Sequence, residues 1–409
     1  MFGDHKGGGE LAEAHRPAAP RAASDKPRKK KNPQQVSLAG RIHKWAGLTI
    51  GVILLMCGLT GSYLAFYPEI ERAAIAPLRQ SAGQQPASYE AVYQALSQVG
   101  SPAEGRWNIE LPGDGGVITS RYGRRGSPNR MVSLDPVTLD VVRDVEWGST
   151  VSTWVYELHY RLLLGRSGAT LMGVLALASM TMLIAGIVLW WRSGRTAAAR
   201  MKYHVNGTAE RKIYDVHRLS GVIGSAFLLI ILATAAAMSL PDQVKPVLSA
   251  FSPIVKSPDP ESAPANGRAR IPLDQALAVV RAEMPGVDIR WVQVPTEETA
   301  SYAIRFRDPG EPNRRFPKSY IWLDQYSGAV LAVRRETQGT ASDRILGWFY
   351  PLHSGQAFGI WGRAIVALIG LFPLLLFVTG IIRWRGKASR LAAYKRSTAA
   401  AAARRNTHL

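Results

Sequence analysis

Four long apolar runs interrupt an otherwise polar chain, at roughly Trp45–Tyr67, Gly168–Trp191, Leu219–Leu240 and Ile360–Ile382. A helix needs about 20 apolar residues to cross a bilayer, so each run predicts one membrane-spanning helix. Two long segments, between runs one and two and between runs three and four, have a different rhythm. Each begins with a helical pattern, over Ser88–Val99 and Leu273–Met284. Each ends as apolar strand, Asp, turn, apolar strand: M-V-S-L-D-P-V-T-L-D-V-V at Met131–Val142 and Y-I-W-L-D-Q-Y-S-G-A-V-L at Tyr320–Leu331. That is a hairpin signal, and each segment is predicted to be a small α+β domain.

The two halves align with each other. Setting His43 on His217 also sets Lys44 on Arg218, Gly47 on Gly221, Leu54 and Leu55 on Leu228 and Leu229, and Thr60 on Thr234. Setting His159 on His353 matches W-x-Y-x-L-H in both copies and continues without a gap through Gly186/Gly380 and Trp190/Trp384. So many coincidences in one register predict an internal repeat. The expected order is a disordered basic tail (1–40), a first membrane helix (41–67), a first outer domain (68–150), and a second membrane helix with an outer extension (151–191). A loop (192–214) leads to a third membrane helix (215–240). A linker and second outer domain (241–343), a fourth membrane helix with its outer extension (344–385) and a second basic tail (386–409) follow. The Pro/Ser/Ala-rich stretch Ser252–Asn266 reads as the linker, and both tails read as disordered.

Charge orients this arrangement. The formal charge is +20, which on its own invites a nucleic-acid reading. The segment through Lys44, the loop Arg192–Val216 and the tail after Ile382 together carry +18 of it, while the long loops Pro68–Leu158 and Pro241–Leu352 come to −3 and +1. Basic short segments on one side are the positive-inside signature. They predict cytoplasmic termini and middle loop, two outer domains on the opposite side, contact of the tails with anionic lipid, and no nucleic-acid partner. About 40 polar residues precede the first run, which predicts an uncleaved anchor. The single cysteine, Cys57, excludes an intrachain disulfide, and no C-x-x-C-H is present for covalent haem.

Candidate chemistry rests on histidines. Of eight, His5, His15, His204 and His408 lie in polar cytoplasmic segments and read as solvated. The other four form a pattern: His43 and His217 open the first and third membrane helices at the inner face, and His159 and His353 precede the second and fourth at the outer face. Ionisable residues at membrane depth are costly and usually functional, and neutral imidazole is a common metal ligand. The apolar core is about 30 Å thick, so pairing must be face-wise: His43 with His217, His159 with His353. Two imidazoles per metal fit a bis-histidine haem, with Gly47, Gly51, Gly221 and Gly224 as small residues on the histidine stripes. Arg41, Lys44 and Arg218 inside, and Arg161, Arg166 and Arg363 outside, are candidate propionate contacts. Interfacial histidines also serve as plain anchors, and membrane glycines as packing residues. Zinc is disfavoured without H-E-x-x-H, a Cys pair or an acidic cluster. No nucleotide loop or nucleophile elbow is visible. Arg305, Arg307, Arg314, Arg315 and Lys318 form a basic run that reads as solvated surface, with an anion-docking patch as the alternative.

These motifs resemble a known family. R-I-H-K-W-A-G-L at Arg41–Leu48, L-H-Y-R-L-L-L-G at Leu158–Gly165, D-V-H-R-L-S-G at Asp215–Gly221, L-H-S-G at Leu352–Gly355 and T-G-I-I-R-W at Thr379–Trp384 are similar to the PepSY-associated transmembrane helix proteins of bacterial inner membranes. Those include iron-uptake factors and ferric-siderophore reductases. The resemblance implies four membrane helices in two repeats with two PepSY-like periplasmic domains. It further implies two haem b on His43, His217, His159 and His353, and electron transfer from a quinol or a separate cytoplasmic reductase to a periplasmic ferric siderophore or other ferric chelate. The second PepSY-like turn departs from the usual Asp-Pro, reading Asp324-Gln325. A non-enzymatic alternative is a membrane-anchored PepSY module that binds a periplasmic protein partner.

Overall fold

The computed structural model describes residues 37–75, 85–112, 116–192 and 196–406, with side chains to residue 400. The expected disorder of the first tail therefore concerns residues outside the described ones, apart from its last few. Four helical stretches are long and apolar enough to cross a membrane: Leu38–Leu64, Gly165–Trp191, Ala209–Ser239 and Gln356–Ala400.

The chain starts with helix α1 (Leu38–Leu64), a short α2 (Tyr67–Ile75) and α3 (Tyr89–Val99), then strands β1 (Gly105–Glu110), β2 (Ile118–Arg124), β3 (Arg130–Leu134) and β4 (Val141–Glu146). Helix α4 (Val151–Arg161), the span α5 (Gly165–Trp191) and the short α6 (Ala197–Met201) follow. The same order then recurs: α7 (Ala209–Ser239), α8 (Pro241–Ser249), α9 (Leu273–Glu283), β5 (Asp288–Gln293), β6 (Tyr302–Arg307), β7 (Ser319–Leu323), β8 (Val330–Arg334), α10 (Ala341–Ser354), and a final span divided into α11 (Gly359–Ile369) and α12 (Phe372–Asn406).

The helices differ from the hydropathy pattern in three ways. First, α1 and α7 begin several residues before their apolar runs, so His43 and His217 lie inside helices rather than opening them. Backbone hydrogen bonding does not stop where apolar character stops, and the Thr208 hydroxyl accepts from Arg211 N to cap α7 at its polar end. Second, the fourth span is divided near Gly370. There the backbone of α1 approaches so closely that a Cβ on Gly370 would collide with Ser62 Oγ and Gly58 O, and Ser62 donates to Ala367 O at 2.7 Å. Pro373 follows at the start of α12, where its missing N–H leaves no helical bond broken. Third, the alanine-rich tail expected to be disordered continues α12 to Asn406, in keeping with the high helix propensity of Ala, Arg and Lys.

All eight strands form one antiparallel sheet, in the order β4-β3-β2-β1-β5-β6-β7-β8. The two meanders join edge to edge where β1 pairs with β5, with Asn108 opposite Gln293 and Glu110 opposite Trp291. One face of the sheet carries α3 and α9 and a single buried cluster with residues from both halves, including Trp107, Ile109, Leu277, Tyr302, Phe306 and Ile321. The two helices cap each other. Asp274 of α9 accepts from Tyr89 N and Glu90 N, both at 2.9 Å, and Glu90 of α3 accepts from Leu273 N at 2.7 Å. The turn carboxylates work alike: Asp135 accepts from Val137 N and Thr138 N, and Asp324 from Tyr326 N and Ser327 N. Gln325, in place of the usual proline, donates to Glu297 O, Glu298 O and Ala300 O. The opposite face of the sheet rests on the helix ends: Arg143 pairs with Glu71 of α2 at 2.5 Å, Trp147 Nε1 donates to Glu157 of α4 at 2.8 Å, and Lys318 Nζ to Leu346 O of α10 at 3.0 Å.

Candidate cofactor-binding site

The spans pack in a ring, α1 against α5, α5 against α7, α7 against α12 and α12 against α1. Helices α1 and α7 therefore face each other across the bundle, where cofactor sites of helix bundles are built. His43 and His217 meet there, ring centroids 6.1 Å apart. At the sheet end His159 of α4 and His353 of α10 also meet at 6.1 Å. Imidazole–metal bonds are about 2 Å long and each ring centroid lies roughly 1 Å beyond its nitrogen, so two imidazoles on opposite sides of one metal have centroids roughly 6 Å apart. Both pairs have that separation. From His43 to Thr60, which touches His159, α1 rises roughly 25 Å at 1.5 Å per residue, so the pairs lie near opposite ends of the bundle.

Each histidine has its Nδ1 engaged. His43 Nδ1 donates to Met182 O at 3.1 Å, and His353 Nδ1 to Ile231 O at 3.0 Å with Thr234 Oγ1 at 3.3 Å. His159 Nδ1 meets Thr60 Oγ1 at 2.9 Å, and His217 Nδ1 meets Thr379 Oγ1 at 2.9 Å. A threonine hydroxyl has one proton. Thr60 gives its proton to Met56 O at 2.8 Å, Thr234 to Ile230 O at 2.9 Å and Thr379 to Leu375 O at 2.6 Å. The two backbone carbonyls can only accept, so His43 and His353 carry the proton on Nδ1 and leave the Nε2 lone pair free to bind a metal. His159 and His217 reach the same tautomer when the threonine proton stays on its own helix carbonyl.

Small residues seat the rings. A Cβ on Gly186 would lie 2.9 Å from His43 Cε1, one on Gly61 3.1 Å from His159 Cε1, and one on Gly380 3.5 Å from His217 Cε1. The glycines expected to admit a macrocycle are partly covered. A Cβ on Gly51 would meet Phe377 at 3.0 Å and one on Gly224 would meet Phe372 at 2.6 Å, while Gly47 and Gly221 face Met182 and Leu376 at ordinary contact distance. Helices α4 and α5 are separated by Leu162 and Leu163, both left-handed at φ 51° and 59°. Non-glycine residues there cost about 1–3 kcal/mol each and cluster at functional sites. The break frees α4 to set His159 toward His353.

The candidate cations divide. Arg218 is buried, pairing with Asp215 at 3.0 Å and donating to Lys202 O at 2.6 Å. Arg363 donates to Ala65 O and to Glu69, each at 2.7 Å. Arg161 lies 3.4 Å from Glu157, and Lys44 sits over the Trp45 ring at 4.6 Å. Arg41 and Arg166 are exposed. His204, read as a solvated loop residue, instead bonds the buried Asp215 carboxylate at 2.7 Å, because α6 and its flanking loop fold back on the start of α7. The basic run is not uniformly solvated either. Arg314 is exposed, but Arg315 and Lys318 turn inward, and burial lowers the Lys318 ammonium below its usual pKa. Glu311 beside it, raised by burial, accepts from Ser319 Oγ at 2.8 Å. Among the described residues no three His, Cys, Asp or Glu side chains gather as a metal-binding group, so each histidine pair stands alone.

Thr60, Thr234 and Thr379 are the residues that sequence reasoning passed over as candidates. The equivalence of Thr60 and Thr234 in the aligned halves was their signal. Thr379 aligns with Ala185, and His43 accordingly bonds the carbonyl of Met182 directly.

No curated protein matches the chain. Among solved structures, a protein from Clostridium difficile 630 described as a lipoprotein candidate shares 12% identity over 62% of this chain and 95% of its own, with a TM-score of 0.24, a likeness that carries no structural argument. The model of the PepSY-associated TM region matches residues 41–387. With four membrane-length helices and an antiparallel sheet within that range, the chain is a multi-pass membrane protein that belongs to the PepSY-associated TM region family.

Proposed function

We propose that the protein carries electrons across a bacterial inner membrane and delivers them to ferric siderophores or other ferric chelates on the periplasmic side. The observation behind this reading is the pair of face-wise histidine couples, each with the separation of two ligands on one metal and each with its Nδ1 atoms engaged by a threonine hydroxyl or a backbone carbonyl. Two ligands rather than three, in an apolar bundle, suit an iron porphyrin better than zinc. His43 and His217 would hold one b-type haem, His159 and His353 the other. Bound there, each haem supplies a one-electron Fe(III)/Fe(II) couple.

The chain's own residues supply the rest. The threonine and carbonyl acceptors fix the imidazole tautomer and hold the rings still through a redox change. Apolar helix faces exclude water from the path. Arg41, Lys44, Arg161 and Arg166 are the cations least committed to other partners and would meet propionates, whereas Arg218 and Arg363 already hold carboxylates. Positive charge on the short segments supports a cytoplasmic His43–His217 end with cytoplasmic termini, and a periplasmic sheet. The recurring element order fits two copies of one helix–domain–helix unit. Each electron reduces one ferric ion to Fe(II), and a quinol or a separate cytoplasmic reductase replaces it.

The purified protein, expressed with ample haem, is expected to show Soret and α bands that shift on dithionite reduction and reoxidise on adding a ferric chelate, with Fe(II) trapped by ferrozine. A spectrum without these bands would overturn the proposal.

A further inference from the structure

A cluster of arginines lies where the sheet meets the helix ends. Arg121 of β2, Arg290 of β5 and Arg315, between β6 and β7, each have a buried Nε with no hydrogen-bond partner among the described residues. The Arg121 guanidinium lies over the rings of Trp147, Trp291 and Phe316 at 5.0, 5.1 and 5.6 Å. No carboxylate stands at ion-pair distance from it among the described residues. Arg315 lies over Tyr67 at 4.9 Å and Phe316 at 5.4 Å, and its one carboxylate neighbour among the described residues is Glu110 at 3.9 Å. Arg290 shares Glu110 at 3.9 Å and otherwise reaches Asp288 at 3.7 Å, whose side chain is half exposed. Arg290 and Arg315 thus share the half-buried Glu110 at the outer limit of an ion pair, and Arg121 has no carboxylate at that distance among the described residues.

The cluster adjoins the outer histidines. Tyr156 and Tyr350 stand one turn before His159 and His353 on α4 and α10, and Phe316 packs on Tyr350 at 5.7 Å. Arg121 and Arg315 both lie within electrostatic reach of the two phenols. Burial pushes the Tyr156 hydroxyl up to about 12 and raises that of Tyr350, so both remain protonated donors. Cation–π contact offsets part of the cost of burying a guanidinium and would explain a simple staple between sheet and helices. It does not explain the unbonded Nε atoms, or why no carboxylate among the described residues faces Arg121. Uncompensated buried charge is strongly destabilising, and an anion received between Arg121, Arg315 and the phenols would remove that penalty.

We infer that this cluster, centred on Arg121 and Arg315, is a binding site for a carboxylate-bearing anion next to the outer histidine pair. The inference rests on the proposed function in taking that anion to belong to the redox chemistry of the outer face. It is either a propionate of the outer haem or a carboxylate of a soluble ferric chelate. Both offer a guanidinium the same planar acceptor.

The test uses the full-length protein in detergent, with Arg121→Gln, Arg315→Gln and the charge-keeping Arg315→Lys. Haem per chain and the two midpoint potentials are measured, and gallium(III) citrate, a redox-silent chelate, is titrated calorimetrically. A propionate source is expected to show as loss of one of two haems, or a shift of one midpoint, in the Gln variants. A chelate source is expected to leave haem unchanged and to weaken citrate binding about tenfold or more, with Lys between wild type and Gln. Haem, potentials and citrate binding all equal to wild type in both Gln variants would overturn the inference. A wild type without haem would sink the proposed function, yet the citrate titration would still decide for the cluster, with no binding, or binding indifferent to the variants, counting against it. If the Gln variants misfold, phenylglyoxal labelling of the wild type reads the same arginines. Protection by haem loading or by gallium citrate is expected, and equal labelling with and without both would contradict the site.

Discussion

At the scale of residues, the site depends on which histidine nitrogen carries its proton. In the proposed site Thr60 does this for His159, with its own proton on Met56 O at 2.8 Å and its oxygen accepting from the ring. Replacing it with Val removes that acceptor while preserving shape. Thr60→Val is expected to weaken haem retention at the sheet-side site by about 10–100-fold, read as faster haem transfer to apomyoglobin, with Thr60→Ser close to wild type. Equal transfer rates for all three proteins would show that the hydroxyl does not hold the ligand. Gly186 and Gly380 make a sharper contrast. A methyl at Gly186 would press on His43 at 2.9 Å, whereas one at Gly380 meets His217 at an ordinary 3.5 Å. Gly186→Ala should therefore lower haem content at the His43–His217 site, and Gly380→Ala should not; equal loss in both would contradict the ring placement. The histidines themselves were legible because aligning the halves matches them by helix end. Their threonine partners were not, because a hydroxyl in an apolar run usually bonds its own helix. Thr60 does so too, and its second role needs a neighbouring helix to be seen.

At the scale of elements, α3 and α9 tie the two meanders together through exchanged caps. Burial alone would raise the Glu90 carboxyl, but bonds from Leu273 N, Arg270 and Gln94 outweigh it and hold the pKa below the usual value. A carboxyl depressed in the folded state adds stability above its unfolded pKa of about 4.3, and that stability is lost as pH falls through the lower folded value. Thermal unfolding of the sheet, followed by tryptophan fluorescence, should show Glu90→Gln less stable than wild type at pH 7, with the gap closing as pH falls below about 4. A gap that persists unchanged at low pH would show that the charge is not the cause. Asp274→Ala, which uncovers two N–H groups of α3, should cost about 1–2 kcal/mol; stability equal to wild type would remove the cap from the account. Helices α3 and α9 and the hairpins were readable from local periodicity and turn chemistry. The pairing of β1 with β5 was not, since an edge-to-edge join between segments far apart in sequence leaves no local pattern. The division of the last span at Gly370 was also hidden, because hydropathy records how apolar a run is and not where α1 comes close.

At the scale of the molecule, the chain combines a ring of four membrane-length helices with one continuous sheet resting on the ends that bear His159 and His353. In the proposed orientation the opposite end of the bundle, where His43 meets His217, faces the cytoplasm. The charge distribution and the apolar runs made this plan readable in the sequence. The contact between sheet and helices, and the arginine cluster within it, arise only from folding, since Arg121, Arg290 and Arg315 come from three separated segments. In the proposed function the two histidine pairs are separate two-ligand sites. The direct measurement is haem per protein in His43→Ala, His217→Ala, His159→Ala and His353→Ala, by pyridine haemochrome with reductive titration. Each single change should remove one haem and leave the other with its wild-type potential, the first two variants matching each other and the last two matching each other. Loss of both haems on any one change, or of neither, would contradict the account.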